Sequence, residues 1–456
     1  MIGSLYLSDL QRCMPAQLIG DDVEFDQVST DTRRIDAGAL FIALRGENFD
    51  GNRFAAQAQA GGAVAVVVSA QQDVAVPQLL LEDTEQALAC LGHLNRQRSS
   101  ATVVAVTGSQ GKTSVKEITG LILSQSFPVL VTQGNLNNTI GVPLTLLALN
   151  AEHQRAVIEL GANAAGEIAR TAHITDPHIV LINNAAETHL EGFGTLDGVV
   201  RAKGEIIDSS PVTHTVVLNA DDPHIEQWRS RAGRRYCRLF SIEADSTADY
   251  RASDIVVTST GTRFTLLTPR GEIECQLALI GTHNVANAVA AAALAMEAGA
   301  SLADAGKGVA AMRPVPGRLA PLSGVKGSRL LDDSYNASPA SFRAAIDVLT
   351  CLGPLAHTVL IMGDMGELGE QHVTRAHREV GIYARQKGVA SLWTTGACSA
   401  FASAAFGSGG RHFDEKQSLI EHALQHLNAE TVVLIKGSRS AAMDEVSTQL
   451  QNEENN

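Results

Sequence analysis

The sequence predicts an α/β protein of three domains: a small mixed α/β domain over residues 1–100, a central parallel-sheet domain over 101–313 and a second doubly wound domain over 314–456. Three observations carry this. The chain of 456 residues is too long for one hydrophobic core, since domains run to about 100–200 residues. Its apolar residues, 45% of the total with only 4% aromatic, form short Val/Ile/Leu runs that alternate with Ala-rich stretches. Strands buried on both faces by crossover helices have this pattern. Finally, Arg313-Pro-Val-Pro-Gly317 sets two helix-barring prolines and a relaxing glycine between two such alternations, and reads as a hinge.

In order along the chain, Phe41-Ile-Ala-Leu44, residues 63–68 and Gln78-Leu-Leu-Leu81 are short apolar runs, with an Ala-rich stretch at 54–60. They form the small domain, which ends near Ser100. From Ala101 the strands at 101–106, 156–160, 179–182 and 215–218 are each followed by a longer helical segment, which implies a parallel sheet. Residues 231–280 are richer in alternating short strands, such as 263–267, and an Ala-rich helix runs from about Asn284 to Glu297. Beyond the hinge, strands at 329–333, 358–362, 391–394 and 431–435 predict a Rossmann-like sheet. The polar tail Asn452 to Asn456 is expected to be disordered.

The balance of 35 Lys+Arg against 49 Asp+Glu gives −14 without a basic cluster, which argues against nucleic acid as a partner. Six cysteines are scattered without a CxxC pair, so no disulfide framework and no zinc site is expected, and a reducing compartment fits. Residues 1–15 lack a basic segment followed by an apolar one. The longest apolar run, 63–68, is too short to span a bilayer. The expectation is a soluble cytoplasmic protein with no membrane insertion.

The chemistry starts at Gly108-Ser-Gln-Gly-Lys-Thr113, between a buried strand and a helix. Glycines let backbone N–H groups approach phosphate oxygens, Lys112 adds a point charge, and a helix N-terminus points inward, so this central P-loop domain is read as an ATPase domain. The usual first glycine of the motif falls at Val106; the bland alternative is a structural glycine turn. Gly108, Ser109, Gln110, Gly111, Lys112, Thr113 and Ser114 form the expected ATP cradle. Thr113 offers a hydroxyl to Mg²⁺, and Glu159 a carboxylate near the carboxyl end of a buried strand, where open α/β sheets hold ligands. Against this stands an edge-strand glutamate in water. His189 follows the 179–182 strand and could bind a second cation, although a loop histidine is more often only exposed. Lys203, on a probable helix, would by default be a solvated charge.

Taken together, these features resemble the Mur ligases, the ATP-dependent amide-forming enzymes of peptidoglycan precursor synthesis, over almost the whole chain. The phosphate loop is followed in order by Glu159-Leu-Gly, His189-Leu-Glu-Gly-Phe, Arg201-Ala-Lys-Gly-Glu205, Leu218-Asn-Ala-Asp-Asp-Pro223, Gly281-Thr-His-Asn-Val-Ala-Asn287, Pro316-Gly-Arg318 and Asp332-Asp-Ser-Tyr-Asn336. Residues 134–143, 333–339, 363–369 and Lys436-Gly-Ser-Arg439 resemble the members that add a D-alanyl-D-alanine dipeptide rather than a single amino acid. Thr139 departs from the family pattern of an acidic residue, and Ala185-Ala-Glu-Thr188 from its Gly/Pro turn.

The resemblance implies UDP-N-acetylmuramoyl-tripeptide and D-alanyl-D-alanine as substrates of a monomeric ligase that serves cell-wall biogenesis, and with it cell shape and division. It implies that Ser29, Asp31, Arg33 and Gly46, in loops whose bland reading is structural, hold the UDP end. Asn137, Asn138, Tyr335, Asn336 and Ser338 contact substrate, Asn284 and Asn287 the adenine, and Asp333 the ribose. Arg318 reaches the γ-phosphate. The helix N-cap is the bland reading of Asn284. Lys112, Glu159, His189, Lys203 and Arg318 are the implied catalytic set. One or two Mg²⁺ are expected on Thr113, Glu159, His189 and a carbamylated Lys203. ATP would convert the inert tripeptide carboxylate to an acyl phosphate. The competing readings are a sibling or folylpolyglutamate synthase-like ligase and, from another class, a P-loop binding switch.

Overall fold

The computed structural model describes residues 1–46 and 49–452, so Glu47 and Asn48 of the expected uridine-nucleotide segment and the last four tail residues lie outside it. Of the tail, Asn452 is described, and its N–H donates to Ser323 O at 2.9 Å.

The first sheet has five strands in the order Gln17–Ile19, Gln78–Leu80, Ala65–Val68, Ala39–Ile42, Gln27–Ser29, all parallel except the first. All residues of Ala39–Ile42 and Ala65–Val68 are buried, as expected of strands covered on both faces. Helix Thr84–Gln97 starts where Asp83 accepts from Glu85 N, and its Leu88 and Leu91 pack on one face of the sheet. Cys13 and Cys90 are joined in a disulfide, a correction to the expectation of no bridge. They lie 77 residues apart, a pairing only the packing of two helices creates and that no local spacing signals. Asn95 and Arg96 then tie this helix to the next domain by donating to Leu146 O and Thr175 O.

The central sheet has nine strands in the order Val129–Val131, Arg155–Glu159, Thr102–Thr107, Ile179–Ile182, Thr215–Asn219, Tyr236–Ser241, Tyr250–Thr258, Gly261–Thr268, Gly271–Leu277. Strands are parallel up to Tyr250–Thr258, and the last two pairings are antiparallel, with a bulge between Ser253 and Val256. Val106 faces Glu159 on one side and Leu181 on the other, so three carboxyl ends meet at one level. Helices Lys112–Leu123 and Thr282–Glu297 cover one face, and Glu167–Thr175 and Leu196–Asp208 the other. The Ala-rich helix starts at Thr282 with Gly281 as its cap; Asn284 lies in the first turn and donates to Ile280 O, so it is not the N-cap.

The third sheet runs Ala320–Ser323, Arg329–Asp333, Val432–Lys436, Thr358–Met362, Ser391–Thr395, Gly410–Phe413, parallel apart from the first hairpin. Arg329–Asp333 and Thr358–Met362 follow each other among the strands of the chain yet flank Val432–Lys436, which opens a crevice at their carboxyl ends. No helix among the described residues is long and apolar enough to cross a membrane.

Candidate active site

The phosphate loop leaves strand Thr102–Thr107 and enters helix Lys112–Leu123 through Gly111, whose φ of 76° is left-handed. A Cβ there would strike the side chains of Asn287 and Asn183, so both conformation and space require glycine. Asn183 Nδ2 donates to Gln110 O and to Asn287 Oδ1, each at 2.9 Å, and Gln110 N–H donates to Asn184 Oδ1. Ser109 Oγ donates to Ala186 O and accepts from Ala186 N–H, so the Ala185 to Thr188 segment backs the loop. Lys112 Nζ donates to Gly108 O at 2.7 Å. Burial depresses its pKa first, Glu159 opposes this and Arg318 adds to it. The cradle is thus pre-shaped for an anion.

Beside it, Glu159 is 1% exposed. Its Oε1 accepts from Asn137 Nδ2 at 2.7 Å and lies 3.5 Å from Thr113 Oγ1, while its Oε2 has no hydrogen-bond partner. A buried, orphaned carboxylate oxygen next to a hydroxyl fits a hard cation that also takes phosphate oxygens. Lys116, fully buried one helical turn beyond Lys112, comes to 3.9 Å from that Oε2 and donates to Thr132 O and Gly134 O. It balances part of the buried charge and fixes the start of the loop that carries Asn137.

His189 lines the same cavity with a left-handed φ of 52°, and its Nδ1 lies 2.6 Å from Glu367 Oε2 of the third domain. Lys203 is buried behind the cavity wall, with Nζ 5.4 Å from the Phe193 ring centroid. Its pKa is pushed down to about 7, by burial first and then by Lys112.

The third domain closes the cavity. Arg318 Nη2 donates to Thr113 Oγ1 at 3.1 Å, and Gln110 Nε2 to Ser338 Oγ at 3.1 Å, Ser338 being also the N-cap of helix Pro339–Cys351. The Arg318 guanidinium lies 4.2 Å from the Tyr335 ring centroid. Asp333 pairs with Lys436 at 2.6 Å; burial raises its pKa, and Lys436 counteracts this. Lys436 Nζ also donates to Asn336 O. The resulting cavity, about 410 Å³, brings together Ser109 to Ser114, Asn137, Asn138, Glu159, His189, Asn284, Asn287, Arg318, Asp333, Tyr335, Asn336 and Ser338.

Lys203 and Gly108 do not line it, and neither do Ser29, Asp31, Arg33 and Gly46. In the first domain Asp31 caps the turn Thr32–Arg34 and is held down to about pKa 2 by its bonds with Arg33, while Gly46 sits in the strand Arg45–Gly46. Sequence reasoning misses Asn183, Asn184, Lys116 and Glu367. The first two carried a signal, an Asn-Asn pair directly after a fully apolar parallel strand; the buried state of Lys116 had none.

Three family models match the chain: "Mur ligase family, catalytic domain" over residues 24–96, "Mur ligase middle domain" over 106–295 and "Mur ligase, glutamate ligase domain" over 317–439. The UDP-N-acetylmuramoyl-tripeptide–D-alanyl-D-alanine ligase of Escherichia coli is 48% identical over 451 residues, 98% of each chain. Among solved structures, MurF from Acinetobacter baumannii superposes with a TM-score of 0.90 at 35% identity, covering 98% of this chain and 99% of that one. MurF from Thermotoga maritima, in complex with ADP, gives 0.81 at 26% identity over 93% and 96%.

Proposed function

The chain belongs to the Mur ligase family, and from that premise we propose that it joins D-alanyl-D-alanine to UDP-N-acetylmuramoyl-tripeptide with conversion of ATP to ADP and phosphate, a cytoplasmic step of peptidoglycan precursor synthesis carried out by a monomer. The observation that carries the reading is the bond from Arg318 to Thr113, which brings a third-domain cation to the end of the phosphate cradle where a γ-phosphate would lie.

A carboxylate does not react with an amine, because the leaving group would be oxide. The tripeptide carboxylate oxygen therefore attacks the γ-phosphorus, the bond to the β-phosphate oxygen breaks, and ADP leaves an acyl phosphate. The dipeptide's ammonium loses a proton to become the free amine, whose nitrogen lone pair attacks the acyl carbon; the carbon–oxygen bond to phosphate breaks, phosphate departs, and a second proton leaves nitrogen to give the amide. Two anions meet in the first step, so cations gathered beforehand lower its barrier. Lys112 and Arg318 are the fixed ones. Thr113 and Glu159, with His189 and a carbamylated Lys203, would hold one or two Mg²⁺, which when bound neutralise charge on the phosphoryl group. The low pKa of Lys203 supports carbamylation, since the neutral amine is the form that takes up CO₂; mass spectrometry in bicarbonate should find one added CO₂ on Lys203, and an unmodified residue would sink that point. Asn284 and Asn287 suit the purine edge, Asp333 the ribose, and Asn137 and Asn138 the muropeptide, with Ser29, Asp31, Arg33 and Gly46 at the UDP end in the first domain.

The test is phosphate release with ATP, UDP-N-acetylmuramoyl-tripeptide and D-alanyl-D-alanine, each omitted in turn. Release is expected only with all three. Release that ignores the dipeptide would reject the assignment.

A further inference from the structure

The incoming dipeptide carries an ammonium at one end and a carboxylate at the other, only about 7 Å apart when extended. Both ends must be recognised within one crevice. Most charges around the closed cavity already have partners of opposite sign or hydrogen bonds from the same domain: Lys112 on the loop carbonyls, Lys436 on Asp333, Asp333 on Lys436, Glu159 on Asn137. Two stand apart. Glu367 lines the cavity on the 363–369 loop, its side chain is 57% exposed, and the partner of its carboxylate is the His189 ring across the domain gap. Its φ of 60° is a costly backbone state for a glutamate, held by the fold in the loop after strand Thr358–Met362. Arg439 makes no ion pair with any described residue, is exposed, and lies with its guanidinium 5.8 Å from the Tyr335 ring centroid, the ring that also carries Arg318.

The two loops are joined. Ser438 N–H donates to Asp364 O at 2.8 Å, and a Cβ built on Gly366 would lie 3.5 Å from Ser438 Cβ and 3.7 Å from Ser440 Oγ. An anion that lines the cavity, paired across the domain gap, and an exposed cation beside the Tyr335 ring of the cavity wall thus stand on loops in contact. Resting on the ligase reading above, we propose that Glu367 and Arg439 are the two poles of the dipeptide subsite. Glu367 accepts from the ammonium and holds the nitrogen inward, toward the tripeptide's activated carboxyl. Arg439 pairs with the terminal carboxylate at the rim. His189 Nδ1 lies 2.6 Å from Glu367 Oε2, and the dipeptide's amine would take the place of that imidazole on the carboxylate. The polarity of the pair would orient a zwitterion in one direction only.

Steady-state kinetics of Glu367→Gln and Arg439→Met test this, with the Michaelis constant of each of the three substrates measured separately. Each variant should raise KM for D-alanyl-D-alanine about tenfold or more, the worth of one charge-assisted contact, and leave those for ATP and the tripeptide within about twofold. With D-alanyl-D-alanine amide as acceptor, Arg439→Met should cost nothing further, because the anion is gone, while Glu367→Gln keeps its penalty. An unchanged dipeptide KM overturns the proposal. So does an equal rise for ATP, which would assign Glu367 to domain closure, or an equal loss on the amide in Arg439→Met. Should either variant fail to fold, Glu367→Ser or Arg439→Gln, which also remove the charge, carries the same comparison. If the unmodified protein shows no dipeptide-dependent phosphate release, the ligase reading itself fails, a result distinct from any of these.

Discussion

Glu159 holds one oxygen satisfied and one bare inside the protein, an arrangement that costs stability unless something charged arrives. Glu159→Gln keeps the shape and removes the charge, so phosphate release should fall by about a hundredfold or more at saturating substrates. The Mg²⁺ concentration for half-maximal rate should rise as well; an unaltered Mg²⁺ dependence would detach Glu159 from the metal. His283 gives a second handle. Burial, then Lys436, lowers its pKa from the ordinary 6.5 to about 4, although it lines the cavity and water reaches part of it. The unfolded chain therefore binds the extra proton first: stability is full above pH 6.5 and is lost as pH falls through about 4. The loss is at most about 3 kcal/mol, less what cavity water screens. Urea unfolding between pH 7 and pH 4 should show this loss, and His283→Gln should flatten it.

Among the elements, the connection from Thr107 to Lys112 depends on one backbone state. Gly111→Ala combines a strained φ with a clash against Asn287 and Asn183, and should cost roughly 1–3 kcal/mol in unfolding and weaken ATP-analogue binding in calorimetry. Unchanged affinity would mean the loop yields without loss. This element was legible because a parallel strand buried on both faces is a continuous apolar run, and the glycine–lysine turn comes directly after it. The Ala-rich helix was legible as well, but its start was not: Asn284 has a good capping side chain, yet the chain turns into helix at Gly281, where the backbone φ of 102° suits only glycine. The Cys13–Cys90 bridge was illegible for a similar reason, since two helices distant in sequence decide it.

At the scale of the whole molecule, the contacts Arg318 to Thr113, Gln110 to Ser338 and His189 to Glu367 span the second and third domains. Arg318→Ala removes one of them together with the cation on the cradle. Its radius of gyration in small-angle scattering should exceed that of the unmodified protein and shrink less when an ATP analogue is added; identical curves would separate Arg318 from closure. The two halves of the site were readable from motifs on either side of the Pro-Gly hinge. Their meeting was expected only through the resemblance that set Arg318 on the γ-phosphate, and cross-domain partners such as Glu367 escaped it, because they are chosen by the angle between rigid bodies, which leaves no periodicity in a chain. Lys116 carries a consequence for how such enzymes tolerate change. It lies one turn beyond Lys112, and a saturation library selected for growth should reject substitutions at both positions alike. Counted by protein abundance instead, the two should part company: variants at Lys112 accumulate as inert protein, whereas variants at Lys116, which leave Glu159 and two carbonyls without their cation, are cleared from the cell.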